Sequence, residues 1–238
     1  MLWLALIGTS IAADVSDVQP GPHVMVVEVA TRSKVPFAGT TDVVTRSLVK
    51  VGLSERDGVW TQSQDLCAVQ IDGDSRATTV LPQAFIDAVP NQTYPIQLSP
   101  QGRYEADPGP TNLGFDPKIT GGALPLKGSD PGVLDFDGDG HPGGTVVVKM
   151  PVFGKVKMYI AQAAWSRYHG TVRGGRIEGR VESVSVAQRT LGASISAFAA
   201  NPKIEPVPEK SRFFLQRLST DRPCSSLVAS WSRTYTAP

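Results

Sequence analysis

Short apolar runs, each ended by glycine, proline or an Asp-Gly pair, recur along most of this chain. In the run from Ile177 to Glu182, apolar or small residues alternate with charged residues. This is the pattern of a strand with one face in water. The pairs Gly174-Gly175 and Asp57-Gly58 lie between such runs, and both suit tight hairpin turns. Only the segment from Pro82 to Val89 has the pattern of a short helix. Because strands follow one another without alternating helices, the sequence predicts an all-β, antiparallel fold.

The number of strands limits how the sheet can be arranged. The pattern yields about eight to ten strands, and a sheet of that size must protect its edges by closing or by packing face to face. We therefore predict a closed or partly open β-barrel, with a β-sandwich as the alternative. Residues 14–238 are interpreted as a single β-rich domain. Within it, a long loop rich in glycine, proline and aspartate is predicted at residues 107–144.

The first residues have the features of a signal peptide. Leu2 to Gly8 is an apolar run, and Thr9 to Ala13 supplies the small residues that a cleavage site needs. We therefore predict a signal peptide at residues 1–13 and a secreted or periplasmic protein. The apolar run is too short to cross a bilayer, which takes about 20 apolar residues, and no later stretch reaches that length. No transmembrane segment is expected.

The charge of the chain excludes one class of partner. Lys+Arg 23 against Asp+Glu 22 gives a formal net charge of +1. A chain that is nearly neutral overall has no global attraction to the phosphates of nucleic acid. Nucleic acid is therefore not expected as a partner.

Two cysteines, Cys67 and Cys224, are present. In an oxidising compartment they could form a disulfide that ties an early strand to the C-terminal segment. The alternative is a pair of buried thiols that fill space in the core. The sequence leaves both possibilities open.

Aspartates recur at every second position in one segment. Ca²⁺ binds oxygen ligands, and a calcium loop places acids at positions 1, 3 and 5, glycine at position 6 and a backbone carbonyl at position 7. Asp135, Asp137, Asp139, Gly140 and His141 occupy those places. The sequence therefore predicts a structural Ca²⁺ site formed by the three carboxylates and the backbone carbonyl of His141. The alternative is an acidic turn that hydrogen-bonds its own backbone and holds no ion.

The segment from Asp135 to Val148 resembles the calcium loops of FG-GAP and VCBS-type propeller repeats, and more loosely those of dockerins and thrombospondin type 3 repeats. The chain also resembles uncharacterised exported bacterial β-proteins with an Asp-x-Asp-Gly-Asp-Gly-x-Pro-Gly segment, which implies no activity. Two positions depart from the loop pattern, because Gly143 stands at position 9 and Val146 at position 12. Water or distant side chains would supply the missing oxygens, so we expect weak affinity, on the order of 10⁻⁴ to 10⁻³ M. The single loop implies no propeller, since a propeller needs one repeat in each blade.

The sequence nominates no catalytic residue. It contains no Gly-x-Ser-x-Gly elbow, P-loop or dinucleotide fingerprint, and His23, His141 and His169 lack the spacing of a zinc site. We therefore expect a monomeric, non-enzymatic exported β-domain that binds a small ligand, a glycan or a protein, or has a structural role. The alternative is an exported hydrolase that acts on an envelope or extracellular polymer. A serine or a carboxylate pair beside His141 or His169 would favour that alternative.

Overall fold

A computed structural model describes residues 18–35, 39–73 and 77–234. The predicted signal peptide at residues 1–13 lies outside the described residues. Twelve strands belong to one large sheet, and all the pairings between them are antiparallel, so the all-β prediction is confirmed. The strands are β1 (Gly21–Val35), β2 (Gly39–Arg56), β3 (Val59–Gly73), β4 (Thr78–Val80), β5 (Gln92–Leu98), β6 (Arg103–Ala106), β7 (Pro110–Leu113), β8 (Gly144–Met150), β9 (Gly154–Arg173), β10 (Arg176–Ala193), β11 (Lys203–Pro206) and β12 (Arg212–Arg217).

In the part of the chain that the structure describes, helices are few and short. They are α1 (Gln83–Ala88), α2 (Pro117–Thr120) and α3 (Cys224–Thr234), with 3₁₀ turns at Ser196–Phe198 and Pro208–Lys210. The helix predicted from Pro82 is α1, which begins directly after that proline. Among the described residues, none of the helices has the length and apolar character that crossing a membrane would require.

Hydrogen bonds join eight of the strands into a ring. Its order is β10-β12-β1-β2-β3-β5-β6-β9, and β9 pairs with β10 to complete it. The short strand β12 lies between β10 and β1, which are far apart in sequence. A ring leaves fewer unpaired strand edges than an open sheet. This arrangement agrees with the predicted closed or partly open sheet, and the sandwich alternative is also compatible with it.

Inward-facing side chains fill the ring. Successive residues of a strand point to opposite faces, and the largest buried cluster takes alternate residues from the ring strands. It includes Met25, Val51, Tyr104, Ile177 and Leu215, all of them buried. The interior is therefore packed with apolar and aromatic side chains.

The C-terminal helix α3 covers part of the outer face of the ring. Leu227 of α3 is fully buried in a second cluster that contains Leu48 and Phe214. Cys224, the first residue of α3, forms a disulfide with Cys67 of β3, and their Cα atoms lie 5.0 Å apart. Of the two possibilities that the sequence left open, the structure has the disulfide. It ties α3 to the sheet beneath it.

The hairpin of β9 and β10 extends beyond the other strands of the ring. Near the turn at Gly174-Gly175, its strands pair with β6 and β12 of the ring. Farther from that turn, β9 pairs with β7 and β8, and β4 adds to β8. These outer strands and α1 enclose a smaller core around Phe85, Val146 and Ile160. The Asp-rich loop leads directly into β8 and therefore lies at this end of the hairpin.

The segment predicted as a long loop, residues 107–144, contains both β7 and α2. Asp116 caps α2, because its Oδ1 accepts a hydrogen bond of 2.8 Å from the backbone N–H of Lys118. Phe115 is buried and pairs across an isolated bridge with Val133. These contacts fix the approach to the Asp-rich loop.

Candidate metal centre

The Asp-rich loop closes on itself at its base. The backbone N–H of Phe136 donates to the carbonyl of Gly143 at 2.9 Å, and the N–H of Gly143 donates to the carbonyl of Leu134 at 2.6 Å. The ring of Phe136 packs edge-on against Phe85 of α1, with the ring centroids 5.3 Å apart. The two ends of the loop are thus held together, and its apolar residue is anchored in the smaller core.

The carboxylates of Asp135, Asp137 and Asp139 converge. One oxygen from each lies within 4.8 Å of the others. Both oxygens of Asp135 accept backbone hydrogen bonds, at 3.0 Å from Asp139 and 2.9 Å from Gly140. Oδ2 of Asp137 accepts a bond of 3.0 Å from the N–H of Thr145, whereas its Oδ1 is covered from solvent and has no hydrogen-bond partner. The predicted residues therefore do come together, and one of their oxygens is buried and unsatisfied.

Two side chains that the sequence did not nominate contact Asp139. The hydroxyl of Thr145 donates to Oδ2 at 2.9 Å, and Nζ of Lys157 lies 3.4 Å from the same oxygen. Thr145 directly follows the loop, so its contact with Asp139 could have been predicted from its position in the sequence. Lys157 comes from β9, and its contact depends on the register that places it opposite Val147. That register is not evident from the loop sequence.

The pKa of the Asp139 carboxyl is lowered from its ordinary value. Burial is the largest single influence and raises the pKa, but hydrogen bonds from Thr145 and from the backbone of His141, the charge of His141 and the contact with Lys157 together lower it by more. Asp139 is therefore ionised at neutral pH. Lys157 offsets one of the three formal negative charges, and a divalent cation would balance the remainder.

His141 was predicted to supply its backbone carbonyl to the cation. Its backbone N–H donates to Oδ1 of Asp139 at 3.1 Å. Its ring stacks on Tyr159, with centroids 4.2 Å apart and an interplanar angle of 18°. The imidazole therefore packs on β9, and coordination by the carbonyl of His141 stays a prediction.

Gly143 allows the loop to approach β9 closely. Its φ is +83°, and a Cβ built on it would overlap the carbonyl oxygen of Ile160 and lie 2.9 Å from the carbonyl carbon. Gly138, in the same loop, also has a positive φ of +68°, but a Cβ there would meet nothing within 4 Å. Both glycines thus have a left-handed backbone conformation that favours glycine. Only at Gly143 would a side chain also collide with a neighbouring strand.

Substitution of these glycines by alanine should separate the two effects. We expect Gly138→Ala to cost about 1 kcal/mol of unfolding free energy, because alanine is strained at a positive φ. Gly143→Ala should cost about 2 kcal/mol more, since the loop must also move away from Ile160. Urea denaturation of both variants measures the difference. Equal midpoints would contradict the close approach.

The hydrolase alternative predicted a serine or a carboxylate pair beside His141 or His169. Nε2 of His169 lies 3.1 Å from Oε2 of Glu182, and both side chains are about half exposed on adjacent strands. Within residues 18–35, 39–73 and 77–234, no serine or threonine hydroxyl and no second carboxylate hydrogen-bonds to the ring of either histidine. His169 and Glu182 thus form a surface ion pair when the histidine is protonated.

Comparison of the chain with protein-family models and with curated protein sequences finds no match. Among solved structures, it is similar to DynF from the dynemicin biosynthesis pathway of Micromonospora chersina, with 12% sequence identity and a TM-score of 0.35. The alignment covers 83% of this chain and 81% of DynF. A similarity at that level supports no argument about the function of this protein.

Proposed function

We propose that this protein is an exported β-domain that is stabilised by Ca²⁺ at Asp135, Asp137 and Asp139 and has a binding or structural role. The observation that carries the proposal is the buried, unpartnered Oδ1 of Asp137 inside a cluster of three converging carboxylates. An oxygen hidden from solvent without a partner costs free energy. A cation bound at that position would remove the cost.

The hydrogen bonds already made by the cluster are compatible with a cation. Each carboxylate oxygen has two lone pairs, so an oxygen that accepts an N–H can also bind an ion. The backbone N–H groups of Asp139 and Gly140 orient Asp135 in this way. Ca²⁺ suits such a site because it accepts oxygen ligands in flexible geometry and tolerates water in the remaining positions.

Export is supported by the disulfide and by the predicted signal peptide. Disulfides persist in oxidising compartments and are rare in the cytosol of most organisms. The bond between Cys67 and Cys224 closes a loop with a sequence separation of 157 residues, so it constrains most of the domain. Secreted or periplasmic localisation is therefore the proposal that accounts for both features.

A binding or structural role is preferred to hydrolysis because of where the two histidines lie. The ring of His141 is stacked on Tyr159, and His169 contacts a single exposed carboxylate, Glu182. A hydrolase needs a nucleophile oriented by its base and a developing oxyanion held by donors. An exported hydrolase stays the second candidate, and it would have to use a different group of residues.

Thermal unfolding tests the metal. The protein is first treated with EDTA and then titrated with Ca²⁺, with Mg²⁺ at equal concentrations as a control for screening by ions. At roughly ten times the dissociation constant, a cation that binds only the folded state adds about 1.4 kcal/mol. For a protein of this size, that raises the midpoint by about 3 to 6 °C. We expect this rise with Ca²⁺ and a smaller one with Mg²⁺.

Asp137→Asn is the informative variant, because the amide keeps the shape of the side chain and can still accept the N–H of Thr145. Asp116→Asn is its matched control, since Asp116 also accepts a backbone N–H in the same segment but lies outside the cluster. The calcium-dependent rise should be lost in the first variant and kept in the second. A wild-type protein whose midpoint does not respond to Ca²⁺ would refute the proposal.

A further inference from the structure

A groove of about 610 Å³ runs over the outer face of the ring, across β6, β9, β10, β12 and β1. Gly170 and Gly179 are directly opposite each other on β9 and β10 in its floor. A Cβ at Gly170 would lie 2.9 Å from the ring of Phe213, so these strands lie directly on the inner core. The volume is typical of sites for small molecules.

Arginines dominate the charge of the groove. Its lining contains Arg103, Arg173, Arg176, Arg180 and Arg212, against three glutamates. The formal charge of the lining is thus positive, although the whole chain is nearly neutral. Arginine presents a planar fork of donors that matches carboxylate, phosphate and sulfate oxygens. The local field therefore favours an anion where the net charge of the protein does not.

The strand register places arginine against arginine twice. Arg173 of β9 is directly opposite Arg176 of β10, and Arg180 of β10 is directly opposite Arg212 of β12. Like charges at directly opposed positions destabilise a sheet. Arg176 and Arg180 are four residues apart on one strand, so the two pairs are separated by roughly 13 Å. A ligand with negative groups at both positions would relieve both repulsions.

Each pair has one arginine with an acidic partner, because Arg212 pairs with Glu28 and Arg176 pairs with Glu178. Glu28 is already bound by two guanidinium groups, at 2.8 Å from Nε of Arg46 and 2.6 Å from Nε of Arg212. Among the described residues, Arg173 and Arg180 have neither an ion pair nor a side-chain hydrogen bond, and both are exposed. Charge on this face is therefore left uncompensated.

Arg176 is held in place by an aromatic ring and an acidic side chain. Its guanidinium lies over the ring of Phe214, 3.8 Å from the centroid. Nε forms an ion pair with Oε1 of Glu178 at 2.9 Å, and Nε and Nη2 are both covered from solvent without a hydrogen bond. The guanidinium is therefore fixed in position on this wall of the groove.

We propose that the groove binds a small organic ligand with two oxyanion groups, one at the Arg173–Arg176 pair and one at the Arg180–Arg212 pair. The groups are phosphates, sulfates or carboxylates, and they are separated by about 13 Å. The groove lining also includes the apolar residues Val26 and Phe214, which are almost fully buried. This ligand class extends the proposed binding role, but it does not depend on Ca²⁺.

The groove and the Asp-rich loop lie at different ends of β9. Lys157 contacts Asp139 near the start of the strand, and His169 lines the groove near its end. Their sequence separation of 12 corresponds to roughly 40 Å of extended strand. A change at one site should therefore leave the other intact.

Isothermal titration with α,ω-alkane bisphosphonates of increasing chain length tests the proposal, with the alkyl monophosphonate as comparison. We expect the tightest binding where the phosphonates span about 13 Å. Affinity should fall with added salt, because the groove is exposed. A wild-type protein that binds no member of the series, or binds all of them and the monophosphonate equally, would overturn the proposal.

Arg173→Gln/Arg180→Gln should weaken the tightest complex at least tenfold. Without ligand, this variant should unfold at the same temperature as the wild type or higher, because two like-charge contacts are removed. Arg56→Gln/Lys155→Gln is the matched control, since it removes two exposed positive charges away from the groove. Equal weakening in both double variants would show general charge attraction and refute a built site. Asp137→Asn should bind as the wild type does, which separates this test from that of the metal.

Discussion

Reduction of the Cys67–Cys224 disulfide is expected to produce the largest loss of stability of any single change proposed for this protein. The bond joins residues separated by 157 positions, and closing a loop of that size in the unfolded chain corresponds to about 5 kcal/mol in the entropic account. Measured values for native disulfides are often smaller, so about 3 to 5 kcal/mol is expected. The midpoint of thermal unfolding should fall by about 6 to 20 °C.

The loss should begin at α3. Leu227 is fully buried against the outer face of the ring, and Cys224 fixes the start of the same helix. Without the bond, the 11-residue helix keeps only its packing contacts, and an isolated helix of about that length is marginal in water. Hydrogen exchange should therefore show faster exchange in α3 than in the ring strands after reduction.

Cys67→Ala/Cys224→Ala provides the control. The reductant should lower the unfolding midpoint of the wild type and have no further effect on this variant. The variant should also resemble the reduced wild type, apart from a small packing term from the two removed sulfurs. A reduced wild type that unfolds at the same temperature as the oxidised protein would contradict the constraint assigned to the disulfide.

The fold class was predictable because local patterns determine strands and tight turns. Asp57-Gly58 is a clear case: the sequence predicts a hairpin there, and both residues have positive φ, 54° and 79°. The order of the strands in the ring was harder to predict from the sequence. β12 enters between β10 and β1 through side-chain fit and backbone pairing between segments far apart in sequence. The spacing of residues along the sequence does not predict pairing between strands so far apart.

The C-terminal helix shows a different limit. From Cys224 to Thr234 the chain is rich in serine and has few of the residues that strongly favour helices. Its helical state depends on a disulfide and on burial of Leu227 against a sheet formed much earlier in the chain. Tertiary contacts therefore override weak local propensity, which sequence patterns alone do not reveal.

For the candidate metal centre, the sequence predicts the three carboxylates but not all of the side chains around them. Asp135, Asp137 and Asp139 are nominated by their spacing, since alternate positions of a short loop can turn toward one point. Lys157 and the groove arginines come together only through strand register. The distribution of charge over a sheet thus depends on which strand positions pair, and the net charge of the chain does not reveal it.

A buried chain of polar side chains crosses the ring interior, and its first members are Tyr104, Gln62 and Tyr94. Tyr104 donates to Oε1 of Gln62 at 2.7 Å, and Nε2 of Gln62 donates to the hydroxyl of Tyr94 at 2.8 Å. The hydroxyl of Tyr94 donates to Oε1 of Gln64 at 2.9 Å. Burial raises the pKa of both tyrosines, so both stay protonated and act as donors. Each member of this group therefore depends on its neighbour for a partner.

Gln62→Leu should cost about 3 kcal/mol of unfolding free energy. Leucine has a similar size, so little space is opened, but the buried hydroxyl of Tyr104 loses its acceptor and that of Tyr94 loses a donor. Tyr104 is 0% exposed. Gln97→Leu is the matched control, because Gln97 lies on β5 of the same ring and is exposed. That substitution should change the free energy by less than about 0.5 kcal/mol.

A double-mutant cycle distinguishes an unsatisfied hydroxyl from a general packing defect. Adding Tyr104→Phe to Gln62→Leu removes the stranded hydroxyl, so the double variant should recover about 1 to 2 kcal/mol. Tyr104→Phe alone should be destabilising, since it leaves Oε1 of Gln62 without its donor. Additive losses in the cycle would mean that the two side chains only fill space. The predicted recovery would instead show that the hydrogen bond between them is what makes a fully buried glutamine tolerable in this core.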